Sequence, residues 1–144
     1  MARTALVTGG GRRLGAAICK ALHANGFDVI VHYHQSGGDA KRLVARLNQV
    51  RANSAIALAA NLAQPAAVRL FAADALAWHG QLDLLVNNAS CFRPTPLDRT
   101  SDSDWEQLIN TNLRAPFLLC QQLAGALQQQ QGSIIKLVNI YAEK

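Results

Sequence analysis

Charge is scarce in this 144-residue chain: Asp, Glu, Lys and Arg make up 16% of it, while half of its residues are hydrophobic. That balance excludes a disordered charged tail, and the length suits one compact domain over residues 1–144. No apolar run approaches the roughly 18 residues that span a bilayer, and no leader pattern precedes the strand-like start at Thr4. A cytoplasmic protein without a membrane partner is expected. The three cysteines, Cys19, Cys91 and Cys120, form no CxxC pair and have no histidine cluster beside them, which predicts reduced thiols and no bound metal. Aromatics are few at 6% and are not interleaved with basic residues, so the pI near 9.6 does not indicate nucleic-acid binding.

What charge there is lies unevenly. Residues 1–72 hold 9 Lys/Arg against 2 Asp/Glu, and residues 73–144 hold 5 against 7. The basic front half is expected to face an anion. Hydrophobic periodicity alternates between strand and helix along the chain. Strands are predicted at Thr4–Thr8, Asp28–Tyr33, Ser54–Ala60, Leu82–Val86 and Ser133–Asn139. Between them come helices from Leu14 to Asn25-Gly26, over 38–51, over Pro65–His79, and from the N-cap candidates Ser101–Asp104 to about Gln130, bent at Pro116. The first helix is expected to bury Leu14, Ala17, Ile18, Ala21 and Leu22. Strict alternation implies parallel pairing through right-handed crossovers, hence an α/β sheet covered by helices on both faces.

Three motifs carry chemistry. Thr8-Gly9-Gly10-Gly11-Arg12-Arg13-Leu14-Gly15 stands where the first strand turns into its helix, the place at which bare backbone and helix N–H groups can receive a pyrophosphate. A tight turn also needs glycine for steric reasons alone, so both readings stay open. Where dinucleotide sites that prefer NAD carry an acid at the end of strand two, this chain has His32-Tyr33-His34-Gln35-Ser36. The absence of a carboxylate favours a 2′-phosphate, hence NADPH, with Arg13, His34, Gln35 and Ser36 as donors. For His32 burial at the strand end is the competing account. The third motif, Leu84-Leu85-Val86-Asn87-Asn88-Ala89-Ser90, ends a buried strand at the sheet edge where such folds bind ligands.

With these three motifs in order, the chain resembles the short-chain dehydrogenase/reductase family, marked by a Thr-Gly-x-x-x-Gly-x-Gly turn and an Asn-Asn-Ala-Gly stretch. Arg13 in place of the middle glycine, His32-Tyr33-His34, and Asn88-Ala89-Ser90-Cys91-Phe92-Arg93-Pro94-Thr95-Pro96 resemble its pteridine reductase branch, with dihydromonapterin reductases as near relatives. The resemblance implies a Rossmann-like, doubly wound parallel sheet of about five strands in order 3-2-1-4-5, and a cofactor site of Gly9, Arg12, Arg13, Leu14, His32, Tyr33, His34, Ser36, Asn61, Leu62, Asn88, Ala89 and Ser90. It also implies a pterin or folate-like substrate held by Arg13, Ser90 and a stacking Phe92, for which core packing is the plain alternative. Asn61 stands where relatives carry aspartate beside the adenine. Asn112 matches an asparagine that helps to position a proton-relay water, unless its amide merely bonds nearby backbone.

The same resemblance implies a Tyr-x-x-x-Lys pair after strand five, with tyrosine donating the proton that accompanies hydride transfer. Tyr141 precedes Lys144 by three residues, not four, and Asn139 takes the place of a catalytic aspartate or serine. The expectation is a chain that stops before the catalytic helix and the C-terminal strands, and is inactive by itself. Its fifth strand is then an uncovered edge that invites self-association. The second function class is a non-catalytic dinucleotide-binding or interaction module, consistent with Gln35, Asn61 and Asn139.

Overall fold

A computed structural model describes residues 2–138. Asn139, Tyr141 and Lys144 lie outside the described residues. The elements are β1 (Arg3–Val7), α1 (Arg13–Ala24), β2 (Phe27–Tyr33), α2 (Gly37–Val50), β3 (Ala55–Ala59), α3 (Pro65–His79), β4 (Leu84–Asn87), α4 (Asp102–Ile109), a π-helical turn (Asn110–Arg114), α5 (Ala115–Gln129) and β5 (Ser133–Lys136). All pairings are parallel, as the alternating periodicity predicts, and the strand order is β3-β2-β1-β4-β5, the order that the family resemblance implies. No helix among the described residues is long and apolar enough to cross a membrane.

Because side chains alternate across a pleated strand, the sheet divides the core in two. Leu6, Ile30 and Leu85 point to the side of α3 and α5, where they meet Phe71, Leu119 and Leu123. Ala5, Val7, Val29, Val31 and Val86 point to the side of α1 and α2, where they meet Cys19, Leu43 and Leu47. Both faces of the central strands are therefore covered, which is why these strands read as near-continuous apolar runs. Among the described residues β5 pairs with β4 alone, and Ile134 and Ile135 are about half exposed.

Two expectations need correction. The buried stripe of α1 is Gly15, Cys19 and His23, flanked by Ala16, Ile18 and Leu22; Leu14, Ala17 and Ala21 face outward. The helix is rotated because Gly15 must lie against the glycine turn, so the face that begins at residue 15 goes inward. The long helix after Ser101 does not bend at Pro116 itself. The distortion falls one turn earlier, in the π-helical Asn110–Arg114, where the Ala115 N–H reaches back five residues to the Asn110 carbonyl. A proline without an N–H, whose ring needs clearance from the carbonyl four residues before it, is accommodated when the preceding turn widens. Of the four N-cap candidates Ser101 takes the role: its hydroxyl accepts the Asp104 N–H at 3.1 Å, and the Asp104 carboxylate accepts the Ser101 N–H at 3.1 Å.

Leu123 is fully buried between α5 and the sheet. Its replacement by alanine leaves a cavity that the packed helices cannot close, and Leu123→Ala is expected to lower the urea unfolding free energy by about 3 kcal/mol.

Candidate functional site

The glycine turn between β1 and α1 is fastened from two sides. Thr8, just past β1, is buried, and its hydroxyl accepts the backbone N–H groups of Asn88 at 3.0 Å and Ala89 at 2.9 Å. In return the Asn88 side-chain amide donates to the carbonyls of Thr8 at 2.9 Å and Gly9 at 3.2 Å. From the β2 side, the Gly10 N–H donates to the His32 carbonyl at 2.9 Å. Gly9 has φ of +62°, which a side chain would strain. At Gly15 the constraint is space: a Cβ there would lie 2.0 Å from the Gly9 carbonyl oxygen and 2.7 Å from the Asn88 amide nitrogen. The steric account of these two glycines is thus correct. It is also what leaves the turn's outer surface as bare backbone.

His32 locks the same turn. Its Nδ1 accepts the Gly9 N–H at 2.9 Å, so the proton sits on Nε2, which donates to the Ala60 carbonyl at 3.0 Å. Both ring nitrogens are satisfied in the neutral form. Burial pulls its pKa down to about 4, against the opposing pull of the Ala60 carbonyl. The side chain therefore shapes the wall beneath the site as a neutral strut.

The carboxyl ends of β1, β2 and β4 open into a cavity of about 730 Å³. Gly9, Arg12, Arg13, Leu14, His32, Tyr33, His34, Ser36, Asn61, Leu62, Asn88, Ala89, Ser90 and Phe92 all line it. The structure thus brings together residues from four separate stretches of chain. Arg13 has φ of +49°, a left-handed conformation that a glycine would adopt freely and an arginine holds at a cost of roughly 1 kcal/mol or more. Phe92 is 87% exposed, so it packs into no core and is available to a ligand. Asn61 spends its side-chain carbonyl partly on the Ala63 N–H at 3.0 Å.

Asn112 does not line the cavity. Its amide donates to the Cys91 carbonyl at 2.7 Å and its carbonyl accepts the Cys91 N–H at 2.9 Å, so it pins the loop that carries Ser90 and Phe92. Asn110 similarly donates to the Ala63 carbonyl at 3.1 Å. The π-helical turn aims both amides at loops of the cavity. Sequence reading missed Cys91, Gln107 and Thr111 among the lining residues. Gln107 and Thr111, four apart on one helix face, were a legible polar pair. The Thr111 hydroxyl oxygen is buried and has no hydrogen-bond partner among the described residues.

Comparison with known proteins follows from this geometry. The family model described as short chain dehydrogenase matches residues 3–144. The chain is 39% identical to pteridine reductase 1 of Leishmania tarentolae, over 96% of this chain and 60% of that protein. It is 33% identical to a 3-oxoacyl-(acyl-carrier-protein) reductase of Staphylococcus aureus over 97% of this chain and 57% of that one, and 36% identical to its Synechocystis counterpart over 96% and 56%. The crystal structure of a blue fluorescent protein from a metagenomic library, in complex with NADPH, superposes with a TM-score of 0.92 at 37% identity, over 99% of this chain and 57% of that one. The chain thus spans somewhat more than half the length of the proteins it matches.

The neutral His32 strut sets a pH dependence. An unfolded histidine titrates near its ordinary 6.5, the folded one near 4, so the unfolded chain binds more protons between these values. Stability is complete above about pH 6.5 and falls as pH drops towards 4, by roughly 3 kcal/mol from this group. His23, lowered by burial and by Arg51, adds in the same direction. Urea titrations at pH 7 and pH 4.5 should show the loss, and His32→Gln should flatten it.

Proposed function

Because the chain belongs to the short-chain dehydrogenase family, we propose that its cavity takes NADPH and that the chain carries the cofactor- and ring-binding portion of a reductase of pterin or folate-like rings. The observation that carries this reading is the pairing, on one cavity, of a strained Arg13 with an exposed Phe92. An arginine fork offers donors to phosphate or ring acceptors, and an aromatic face suits a flat heteroaromatic ring.

The residues fit the cofactor. Nothing caps the start of α1: Arg12 at the N-cap makes no side-chain cap bond and the first turn holds no acid, so its N–H groups are free for a pyrophosphate. The end of β2 presents His34, Gln35 and Ser36 with no carboxylate to repel a 2′-phosphate. NADPH, when bound, supplies a hydride; in the proposed reaction a dihydropterin or dihydrofolate is reduced to the tetrahydro form. The chain's own part is to clamp the phosphates with Arg12 and Arg13, to seat the ring between Ser90 and Phe92, and to hold that loop through Asn112.

Proton donation has no assigned residue. Among the described residues no lysine lines the cavity, and the Tyr141 to Lys144 spacing differs from the family pair. Binding without turnover is therefore the proposal for this chain. Asn61, with its carbonyl partly spent on the Ala63 N–H, favours as a second reading a non-catalytic dinucleotide-binding module. A cytoplasmic location is part of the proposal, and the free thiols of Cys19, Cys91 and Cys120 suit a reducing compartment. Self-association is proposed through β5, whose outer edge is unpaired among the described residues and whose Ile134 and Ile135 are half exposed.

Fluorescence titration should give tighter binding of NADPH than of NADH, with the ratio reduced roughly tenfold in Arg13→Ala. Equal affinities would remove the phosphate reading. An NADPH oxidation assay with dihydrobiopterin should show no turnover, and measurable turnover would overturn the assignment of this chain as binding only. Sedimentation velocity is expected to show species larger than the monomer.

A further inference from the structure

The adenosine end of the cavity poses a problem of charge. The stretch that follows β2, His34-Gln35-Ser36, offers no lysine or arginine to a 2′-phosphate, and Gln35 and His34 are exposed neutral or weakly basic groups. Cations stand nearby in an unusual arrangement. Asp39, in the first turn of α2, is held between two guanidinium groups: Arg12 of the glycine turn, with Nε 3.6 Å from the carboxylate, and Arg42, one turn further along α2, in direct contact. Two positive charges share one negative charge at the mouth of the cavity.

The placement of Arg42 is specific. A Cβ on Gly38 would lie 3.3 Å from its Nη1, so the guanidinium lies back over the first turn of α2, beside the Ser36 N-cap, and the absence of a side chain at 38 gives it room. The Ser36 hydroxyl makes no cap bond. Arg12 and Ser36 line the cavity, whereas Arg42 stands outside its wall. All three charged groups are substantially exposed, with side-chain exposures of 65%, 36% and 69% for Arg12, Asp39 and Arg42. Exposed ion pairs of this kind are weak and readily exchanged. A phosphate monoester, with up to two charges and three acceptor oxygens, is the better partner for an arginine fork than a single carboxylate.

We infer that Asp39 is a placeholder anion that keeps Arg12 and Arg42 at the adenosine end of the cavity and yields them to a 2′-phosphate, making Asp39 and Arg42 specificity-determining residues for the cofactor. Arg42 supplies the cation that the β2 end lacks. Asp39 keeps the two like-charged arginines together before the ligand arrives and competes with the phosphate for them once it does. Neither residue is part of the cavity lining, so neither would be singled out by proximity. This rests on the proposal that the cavity takes NADPH.

The test is calorimetric titration of the full chain with 2′,5′-ADP and with 5′-AMP, which differ only in the 2′-phosphate. Arg42→Ala should weaken 2′,5′-ADP about fivefold and leave 5′-AMP unchanged, and Arg42→Lys should recover part of the loss. Asp39→Asn removes the competing charge and should tighten 2′,5′-ADP about threefold, with a steeper loss on adding salt. Far-UV circular dichroism checks that each surface variant folds. If Arg42→Ala leaves 2′,5′-ADP unchanged or weakens both nucleotides alike, Arg42 is only a helix-surface partner of Asp39 and the inference fails. Weaker binding by Asp39→Asn overturns the competition. A preference for 2′,5′-ADP that survives Arg42→Ala refutes the triad alone; equal binding of both nucleotides by the unsubstituted chain refutes the 2′-phosphate reading and the triad together, and binding of neither refutes the cofactor site as well.

Discussion

The Thr8 hydroxyl holds the site together. It receives two backbone N–H groups from the end of β4, and the Asn88 amide returns two bonds to the carbonyls of the glycine turn. This reciprocal clamp fixes the turn that starts α1 against the strand that starts the Phe92 loop. Each bond is worth about 1 kcal/mol net, yet in a buried setting leaving any one unmade would cost more than the bond contributes. Neutral His32 completes the clamp from the β2 side. The carboxyl edge of three strands thereby becomes one rigid wall.

On that wall the electrostatics are set by what is missing as much as by what is present. No acid lies in the first turn of α1 or at the end of β2, and the basic excess of the front half reaches the cavity through Arg12 and Arg13. Arg13 holds a conformation suited to glycine, so its side chain is kept over the cavity at a conformational cost. The acids of the second half have local duties: Asp104 closes the capping box of α4 and also pairs with Arg93 at 3.1 Å, which braces the loop beside Phe92. From the π-helical turn Asn112 braces the same loop at Cys91, and Asn110 braces the stretch after β3 at Ala63.

Element order and the parallel sheet were legible because alternating apolar runs and amphipathic helices imply right-handed crossovers, whereas the strand order followed from the motifs' resemblance to the family. The Gly9 turn, the Asn88 stretch and the acid-free end of β2 were legible because each departs from plain packing composition. The inward face of α1 was not, since Leu14, Ala17 and Ala21 form as regular an apolar stripe as Gly15, Cys19 and His23, and only the close approach at Gly15 selects between them. The π-helical turn was not legible either: Pro116 announces a distortion but does not say on which turn it falls.

By itself, the sequence determined which groups are available: a glycine turn followed by two arginines, an amide pair after β4, and no carboxylate after β2. Those are local properties, written in residue type and short spacing. Only the tertiary structure decided which of them work as struts and which face a ligand. His32 and Asn88 lie on the cavity and yet spend polar atoms on the turn, whereas Phe92 is left free. Hydrogen-bond partners some 20 to 80 residues apart in the chain settle that division, and such partners are found only once the sheet has assembled.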